Sequence, residues 1–232
     1  IDPAGGAGFF RKGSNRIVPV GYCPISDAAV NKRLEELNRG TPEPGRGDLA
    51  EVELFVDAGG VLHEKHHPPG ERAFPFHQVN RSVNEIVVRR LSEWASAALG
   101  PGDTVADLFC GNGNLSLPLA ETVGRIDGWD TSPGALAEGS KVLAEISGKT
   151  PGYTLVIIDP PRGGLKSSEK ALSSLETPWI YYLSCDPPSL ARDLKPLLAG
   201  GYKPVRIDLY DMFPQTYHIE TGIILEKTPR SG

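Results

Sequence analysis

Cys185 is the residue whose sequence surroundings most favour covalent chemistry. It follows the apolar run 181–184 and precedes Asp186 and Pro187, a pair that predicts a helix N-cap and a first helical position. A thiol at a helix N-terminus faces the positive end of the helix dipole, which favours the thiolate. We therefore treat Cys185 as a candidate nucleophile. The alternative is a small buried apolar residue, as most free cysteines are.

A carboxylate near the end of the chain is a candidate partner for this thiol. Residues 217–225 predict a strand, and strand alternation places His218 and Glu220 on one face of it. If that face is turned toward Cys185, a thiol and a carboxylate flank one pocket.

A glycine-containing loop predicts a cofactor site. Residues 104–109 have the pattern of a buried parallel strand, followed by Cys110-Gly111-Asn112-Gly113-Asn114 and by a helix predicted from about Leu115. Glycines let the backbone approach a ligand closely, and the start of a helix presents unpaired amides. Gly111 is accordingly a candidate cofactor-binding residue.

The next two predicted strands each end in an acidic residue. One ends at Asp130, where doubly wound folds place an acid that accepts hydrogen bonds from ribose; a solvated acid or a helix cap is the alternative. The other ends at Asp159, which two prolines hold at the carboxyl edge of the sheet. Together with an amphipathic helix predicted over 81–99, the pattern indicates an α/β fold.

The first third of the chain differs in character. Residues 1 to about 75 predict a small, partial α+β region with a helix over 27–37 and a hairpin over 50–63, and residues 76–232 form the second predicted domain. The histidines between 63 and 67 lack the ordered spacing of metal ligands, so we predict no metal site. Its basic side chains are accompanied by eleven acidic residues within the first 75 positions, which indicates a solvated surface; a phosphate-contacting patch is the alternative.

Composition bounds the class of protein. The 232 residues carry a net charge of −5 and 39% hydrophobic side chains, with three separated cysteines. No run approaches the roughly 20 apolar residues of a membrane span, so we expect a cytoplasmic globular protein without a disulfide framework. The acidic charge gives no overall basic footprint for nucleic acid, although an RNA enzyme can keep its basic surface local. Because the chain does not begin with Met, we expect further residues upstream.

Five motifs follow one another between about residue 76 and residue 225. They are Phe76-His77-Gln78-Val79-Asn80, Asp107-Leu108-Phe109-Cys110-Gly111-Asn112-Gly113-Asn114, Asp159-Pro160-Pro161-Arg162, Ser184-Cys185-Asp186-Pro187 and Asp211-Met212-Phe213-Pro214-Gln215-Thr216-Tyr217-His218-Ile219-Glu220. In this order they resemble the RNA uracil-5 methyltransferase family. Each motif is moderately specific, and the five in order are strongly so.

The resemblance implies a class I, Rossmann-like fold with a C-terminal antiparallel hairpin, and an enzyme that methylates carbon 5 of uridine in RNA with S-adenosylmethionine. It implies that Cys185 adds to carbon 6 of uracil and that Glu220 then removes the carbon 5 proton. Asp130 stands where a glutamate is more often found. The positions at which the family contacts the methyl donor or shapes the site are occupied by Gln78, Phe109, Asn114, Asp130 and Asp159.

The resemblance also implies an RNA partner whose target uridine is unpaired or flipped out of its stack. Gly8-Phe9-Phe10-Arg11 and Gly21-Tyr22-Cys23-Pro24-Ile25 resemble the region before the catalytic domain in the ribosomal RNA branch. We therefore expect ribosomal rather than transfer RNA as the substrate, and a monomeric enzyme. In that branch a cysteine at the place of Cys23 is the last of four ligands to an iron–sulfur cluster; no cysteine precedes it here, so we predict no cluster in this chain.

One interval departs from the family pattern. The stretch from Asp130 to Asp159 is shorter than the roughly 35 residues that a helix-strand-helix passage needs. Either the third, edge strand of the sheet is missing, or residues have been left out and the numbering closed over the gap. We favour the second explanation, with residues 140–146 as the helix before the next strand.

Three other functions fit part of the pattern. A cytosine-5 RNA methyltransferase also uses a cysteine and an Asp-Pro-Pro element, but His218-Ile219-Glu220 fits the uracil family better. An amino-methylating enzyme would show Asn-Pro-Pro followed by an aromatic residue, where this chain has Asp159-Pro160-Pro161-Arg162. The short interval and the acidic charge favour a non-catalytic RNA-binding module, whereas the presence of Cys185 and Glu220 argues against it.

Overall fold

The chain forms two compact units, Ile1–Pro75 and Phe76–Gly232. The computed structural model describes residues 7–11, 14, 16–39, 51–57, 59–68, 78, 80–130, 152–165, 171, 174–214 and 216–228. No helix in this described part is long and apolar enough to cross a bilayer.

In its described residues, the first unit has two small sheets and one helix. Its elements are β1 (Gly8–Phe10), β2 (Ile17–Pro19), α1 (Ala28–Arg39), β3 (Glu51–Val56) and β4 (Leu62–His67). β1 pairs with β2 and β3 with β4, both antiparallel, so the predicted hairpin and the predicted helix are confirmed. Arg33 of α1 donates two hydrogen bonds to the Glu64 carboxylate, which ties the helix to the hairpin.

The second unit is a six-stranded sheet with helices on both faces. Its elements are α2 (Arg81–Ala98), β5 (Thr104–Leu108), a 3-10 turn (Leu117–Leu119), β6 (Arg125–Trp129), β7 (Leu155–Ile158), β8 (Trp179–Ser184), α3 (Pro187–Ala199), β9 (Tyr202–Tyr210) and β10 (Glu220–Lys227). The strand order is β6-β5-β7-β8-β10-β9. The first four strands are parallel, and β10 is antiparallel to both β8 and β9. This is the predicted Rossmann-like α/β fold with a C-terminal antiparallel hairpin.

Strand alternation divides the core into two layers. One layer packs Val87, Leu91 and Ala95 of α2 against the odd-numbered residues of β5, β7 and β8. The other packs Leu190 and Leu197 of α3 against the even-numbered residues of the same strands. The face on which a strand residue lies therefore decides which helix layer it meets.

Two sequence predictions were wrong in detail. The helix predicted from about Leu115 is only the 3-10 turn, because Pro118 has no N–H to donate and the chain must reach β6 within a few residues. The strand predicted from 217 begins at Glu220 instead, because Thr216 Oγ1 donates to the Phe213 carbonyl and accepts from His218 N–H, holding these residues in a turn.

The prediction about the short interval between β6 and β7 concerns residues 131–151, which lie outside the part of the chain that the structure describes. Among the residues described, no strand lies beyond β6 at that edge of the sheet. The helix predicted over 140–146 lies outside the described residues.

Candidate active site

The candidate residues converge on one edge of the second unit's sheet. Leu108 pairs with both Trp129 and Ile158, and Ile158 pairs with Tyr182. Parallel strands in this register bring their carboxyl ends to the same edge. The residues that follow these ends are Phe109, Asp130, Asp159 and, after β8, Cys185.

The antiparallel strand β10 brings Glu220 to the same edge. Ser184 of β8 pairs with Thr221 of β10 in the last pair of this ladder, and the next residues outward are Cys185 and Glu220. The Glu220 charge acts on the Cys185 thiol, so the two side chains lie near each other. Glu220 is only 5% exposed and Cys185 is half-buried. The structure thus brings together the predicted nucleophile and the predicted base, on the face covered by α2.

The expected thiolate character of Cys185 was wrong for the protein by itself. Burial raises the pKa of this thiol, the neighbouring Glu220 charge raises it further, and Arg162 only partly opposes them. Asp186 does cap α3, accepting a hydrogen bond of 2.9 Å from Ser189 N–H. The pKa of Cys185 therefore lies above its ordinary value although the thiol precedes a capped helix.

The carboxyl group of Glu220 can gain or lose a proton near neutral pH. Burial raises the pKa of its carboxyl group to about 7, against a smaller lowering by Arg162. A carboxyl group with this pKa is present in both protonation states at physiological pH, as a general base or acid requires.

Asp107 belongs to the site although the sequence analysis did not single it out. Its side chain is 1% exposed, and neither carboxylate oxygen has a hydrogen-bond partner within the described part of the chain. Burial raises the pKa of Asp107 to about 6, partly offset by the nearby Ser116 hydroxyl. The available signal was a carboxylate inside an otherwise apolar strand, since an unpaired buried charge is costly.

Asp159 adds to this negative cluster. Removal from water raises its pKa well above the usual range, and the charges of Glu220, Asp107 and Asp130 act in the same direction. Four carboxyl groups thus meet at one edge of the sheet. Such an arrangement favours a ligand that carries positive charge.

The glycine loop after β5 is folded by left-handed backbone conformations. Gly111 and Gly113 have φ angles of 53° and 78°, and Phe109 adopts 65° without being glycine. Gly111 N–H donates a 2.6 Å hydrogen bond to Asp130 Oδ2. The loop is therefore joined to the end of β6 through Asp130.

Asn114 and Gln78 lie at the α2 side of the site. The Asn114 side chain exchanges two hydrogen bonds of 2.9 Å with Asn84 of α2, which fixes its amide plane. Gln78 is half-buried, two residues before Asn80, the N-cap of α2. Residues 76, 77 and 79, the neighbours of Gln78 in the first motif, lie outside the described residues.

Arg162 was also missed as an individual residue, although it lies within the Asp-Pro-Pro-Arg motif. Its positive charge lowers the pKa of both Cys185 and Glu220. Its carbonyl accepts a 3.0 Å hydrogen bond from Ser189 Oγ of α3. A basic residue directly after the Asp-Pro-Pro turn was the available signal.

The rim of the site carries aromatic rings. Tyr217 is 81% exposed, and its ring centroid lies 4.2 Å from that of His218, which in turn lies 6.0 Å from Phe213. His218 precedes the strand rather than sharing a strand face with Glu220.

Cys23 lies in the first unit, where its N–H donates a 2.7 Å hydrogen bond to Asn31 Oδ1. Across the part of the chain that the structure describes, no three His, Cys, Asp or Glu side chains are grouped to hold a metal. A cluster needs four ligands and Cys23 can supply one, so the residues present do not fit an iron–sulfur cluster.

Comparison with known proteins places these motifs in context. A family model described as tRNA (Uracil-5-)-methyltransferase matches residues 137–228. Three curated relatives carry the name 23S rRNA (uracil(1939)-C(5))-methyltransferase RlmD. The protein from Pseudomonas aeruginosa (strain UCBPP-PA14) is 38% identical over 194 residues, covering 75% of this chain and 43% of the relative.

The other two relatives cover more of the chain. The Marinomonas posidonica protein is 33% identical, covering 92% of this chain and 51% of the relative. The Aliivibrio fischeri (strain MJ11) protein is 30% identical over 291 residues, covering 95% of this chain and 65% of the relative. The chain spans about half the length of the curated relatives it matches. Because 291 aligned positions exceed the 232 residues present, that relative has internal segments that this chain lacks.

Proposed function

Because the chain belongs to the RNA uracil-5 methyltransferase family, we propose that it transfers a methyl group from S-adenosylmethionine to carbon 5 of a uridine in RNA. The observation that carries this proposal is the position of Cys185 and Glu220 one residue beyond the Ser184–Thr221 pair that ends the β8–β10 ladder. A thiol and a carboxyl group on one face of a sheet edge are the two groups that the reaction requires.

The acidic edge fits a cationic methyl donor. The orphaned oxygens of Asp107 and the raised pKa of Asp159 both indicate carboxylates that lack positive partners. The donor's ammonium and sulfonium groups carry such charge, and Asp130 stands where an acid can accept hydrogen bonds from ribose. Further residues that would hold the donor are Gln78, Phe109, Gly111 and Asn114. When bound, the donor supplies an electrophilic methyl group.

Cys185 supplies the nucleophile that uracil itself lacks. In the proposed reaction the Cys185 thiol gives up its proton to solvent and its Sγ forms a bond to carbon 6. The electron pair of the carbon 5–carbon 6 double bond then forms an enolate that makes carbon 5 nucleophilic. The positive charge of Arg162 acts on Cys185 and offsets the negative charge that Glu220 and Asp159 place around it.

Glu220 completes the reaction after carbon 5 has been methylated. Its carboxylate removes the carbon 5 proton, the double bond re-forms, and the bond from carbon 6 to Cys185 Sγ breaks to release the cysteine. A pKa of about 7 gives Glu220 both the ionised form for this step and a route to return the proton to water.

We propose ribosomal RNA as the substrate, because the three relatives are named for 23S rRNA. A base within a stacked helix cannot reach a thiol at the sheet edge, so the target uridine must be unpaired or flipped. The exposed Tyr217 ring beside His218 offers a surface on which a flanking base can stack.

Trapping with 5-fluorouridine RNA tests the proposal. Fluorine at carbon 5 cannot be removed as a proton, so wild-type protein with S-adenosylmethionine should form a covalent complex joined through Cys185, identified by peptide mass spectrometry. Cys185→Ala should form none and transfer no methyl group, whereas Cys23→Ala should behave as wild type. Fragments of 23S rRNA and a tRNA transcript serve as parallel substrates. Undiminished methyl transfer by Cys185→Ala would overturn the proposed mechanism.

A further inference from the structure

The loop that follows β7 lies on the first two turns of α3, the helix that begins just after Cys185. Ser189 Oγ donates a 3.0 Å hydrogen bond to the Arg162 carbonyl, and Arg192 Nη2 donates one of 2.8 Å to the Gly163 carbonyl. Two consecutive carbonyls of the loop are thus held by side chains of one helix.

Asp193 fastens the far end of the same loop. This carboxylate is only 3% exposed, and its Oδ2 accepts hydrogen bonds of 2.7 Å from Leu165 N–H and from the Tyr182 hydroxyl. Its Oδ1 accepts from Arg192 Nε at 2.9 Å. Asp193 therefore links the loop to β8 three residues before Cys185, and its charge is satisfied, as a buried charge must be.

Gly164 shows how closely the loop approaches the helix. Its φ angle is +64°, and a Cβ built there would lie 2.4 Å from both Arg192 Nη2 and Asp193 Oδ2. That space is filled by the hydrogen-bonded side chains themselves. The loop from Arg162 to Leu165 is consequently packed directly against α3.

We propose that Tyr182, Ser189, Arg192 and Asp193 form a clamp that holds the main chain at Arg162 against the first turn of α3, the helix that begins just after Cys185, and so positions the Arg162 charge to act on Cys185 and Glu220. The role of the clamp rests on the proposed function, since it sets up the thiol for attack on uracil. These four are positioning residues: Arg162 acts on the reacting groups, and the clamp holds the main chain that carries Arg162.

The clamp has a measurable consequence for the thiol in the protein alone. The charged groups acting on Cys185 are Glu220, Asp159 and Arg162, and only Arg162 favours the thiolate. If the loop loosens, Arg162 is no longer held close, while the two carboxylates remain on their strands. Cys185 should then ionise less readily, and its alkylation rate at a given pH should fall.

Site-resolved alkylation tests the clamp without RNA or methyl donor. Iodoacetamide labelling of Cys185 is followed by peptide mass spectrometry from about pH 6 to about pH 10, with Cys23 and Cys110 as internal references. We expect Ser189→Ala and Tyr182→Phe to lower the Cys185 rate at about pH 8 by about threefold, and Arg162→Gln by about tenfold. Lys195→Ala, an exposed position on α3, should leave the profile unchanged.

The double variant distinguishes a role in positioning Arg162 from a general loosening of the structure around Cys185. Adding Ser189→Ala to Arg162→Gln should cause no further change in the Cys185 rate, because the charge that the clamp positions is already gone. The clamp is overturned if both single clamp variants keep the wild-type profile, if Arg162→Gln has no effect, or if the double variant is additive. If the variants shift the Cys185 alkylation profile but the wild-type protein does not methylate RNA, the clamp is supported and only the proposed function is overturned.

Discussion

At the scale of single residues, the site depends on carboxyl groups that are held away from water. Glu220 and Asp107 have pKa values raised to about 7 and about 6, in both cases mainly by burial. Each is suited to a different task. Glu220 lies opposite the thiol and can take a proton, whereas Asp107 lies inside the parallel sheet and can balance a positive ligand.

Glu220→Gln should allow Cys185 to add to uracil but prevent the release of the cysteine after methylation. The amide cannot accept the carbon 5 proton, so we expect a methylated RNA–protein adduct to accumulate on ordinary uridine RNA, with turnover reduced at least about a hundredfold. Denaturing gels of the complex measure the adduct. The double variant with Cys185→Ala should give none, and normal turnover by Glu220→Gln would contradict its role as base.

Asp107→Asn should weaken donor binding. Replacing a buried carboxylate that faces a cation should lower the affinity for S-adenosylmethionine about tenfold or more, as measured by calorimetry. In wild type the affinity should fall as pH drops below about 6, because protonation removes the charge; in Asp107→Asn it should not. Glu121→Gln, at an exposed position nearby in the chain, is the control. Equal affinity in Asp107→Asn and wild type would remove Asp107 from the site.

At the scale of elements, β10 matters as much as the strand that delivers the thiol. It is antiparallel between β8 and β9, which places its first residue, Glu220, at the edge where the parallel strands end. Two residues further along, Gly222 leaves room for the Tyr181 hydroxyl: a Cβ there would lie 2.8 Å from that oxygen and 3.2 Å from the Tyr210 ring.

Gly222→Ala should therefore overpack the sheet beneath the site. We expect a loss of about 1–3 kcal/mol in the free energy of unfolding, measured by denaturant titration. Tyr181→Phe removes the hydroxyl oxygen that the new Cβ would meet. The double variant should recover most of the loss, and strictly additive destabilisation would rule out this contact as the cause.

At the scale of the whole molecule, the acidic edge makes stability depend on pH. Glu220, Asp107 and Asp159 have raised pKa values, so the folded protein binds more protons than the unfolded chain between their ordinary and raised values. Their contribution to stability is present below the ordinary pKa and is lost as pH rises through the raised one. Carboxyl groups with lowered pKa values, such as Glu64, destabilise only in more acidic solution.

We expect the second unit to become more stable as pH falls from about 8 to about 5, with Glu220 alone contributing on the order of 3 kcal/mol. Tryptophan fluorescence during urea unfolding reports this unit, because Trp94, Trp129 and Trp179 all lie within it. Glu220→Gln should flatten the profile by raising stability at about pH 8. A profile that rises with pH over this interval would contradict the assigned pKa directions.

Much of the fold follows from the sequence because its signals are local. Apolar runs predicted the strands, and the apolar stripe on residues 81–98 predicted α2. Asp186 and Pro187 predicted where α3 begins. Ordered motifs identified the family and selected Cys185 and Glu220. Local signals failed where short-range hydrogen bonds or a proline intervened, as at the 3-10 turn and in the turn before β10.

Only the tertiary structure decided how the selected residues act. Cys185 meets Glu220 because β10 inserts beside β8 with Ser184 opposite Thr221, a register between distant segments that no local pattern specifies. Burial and neighbouring charges depend on the same packing, and they raise the pKa of Cys185, opposite to the lowering that its place before a helix suggested. The sequence determined which groups are present; the packing determined their distances and charges.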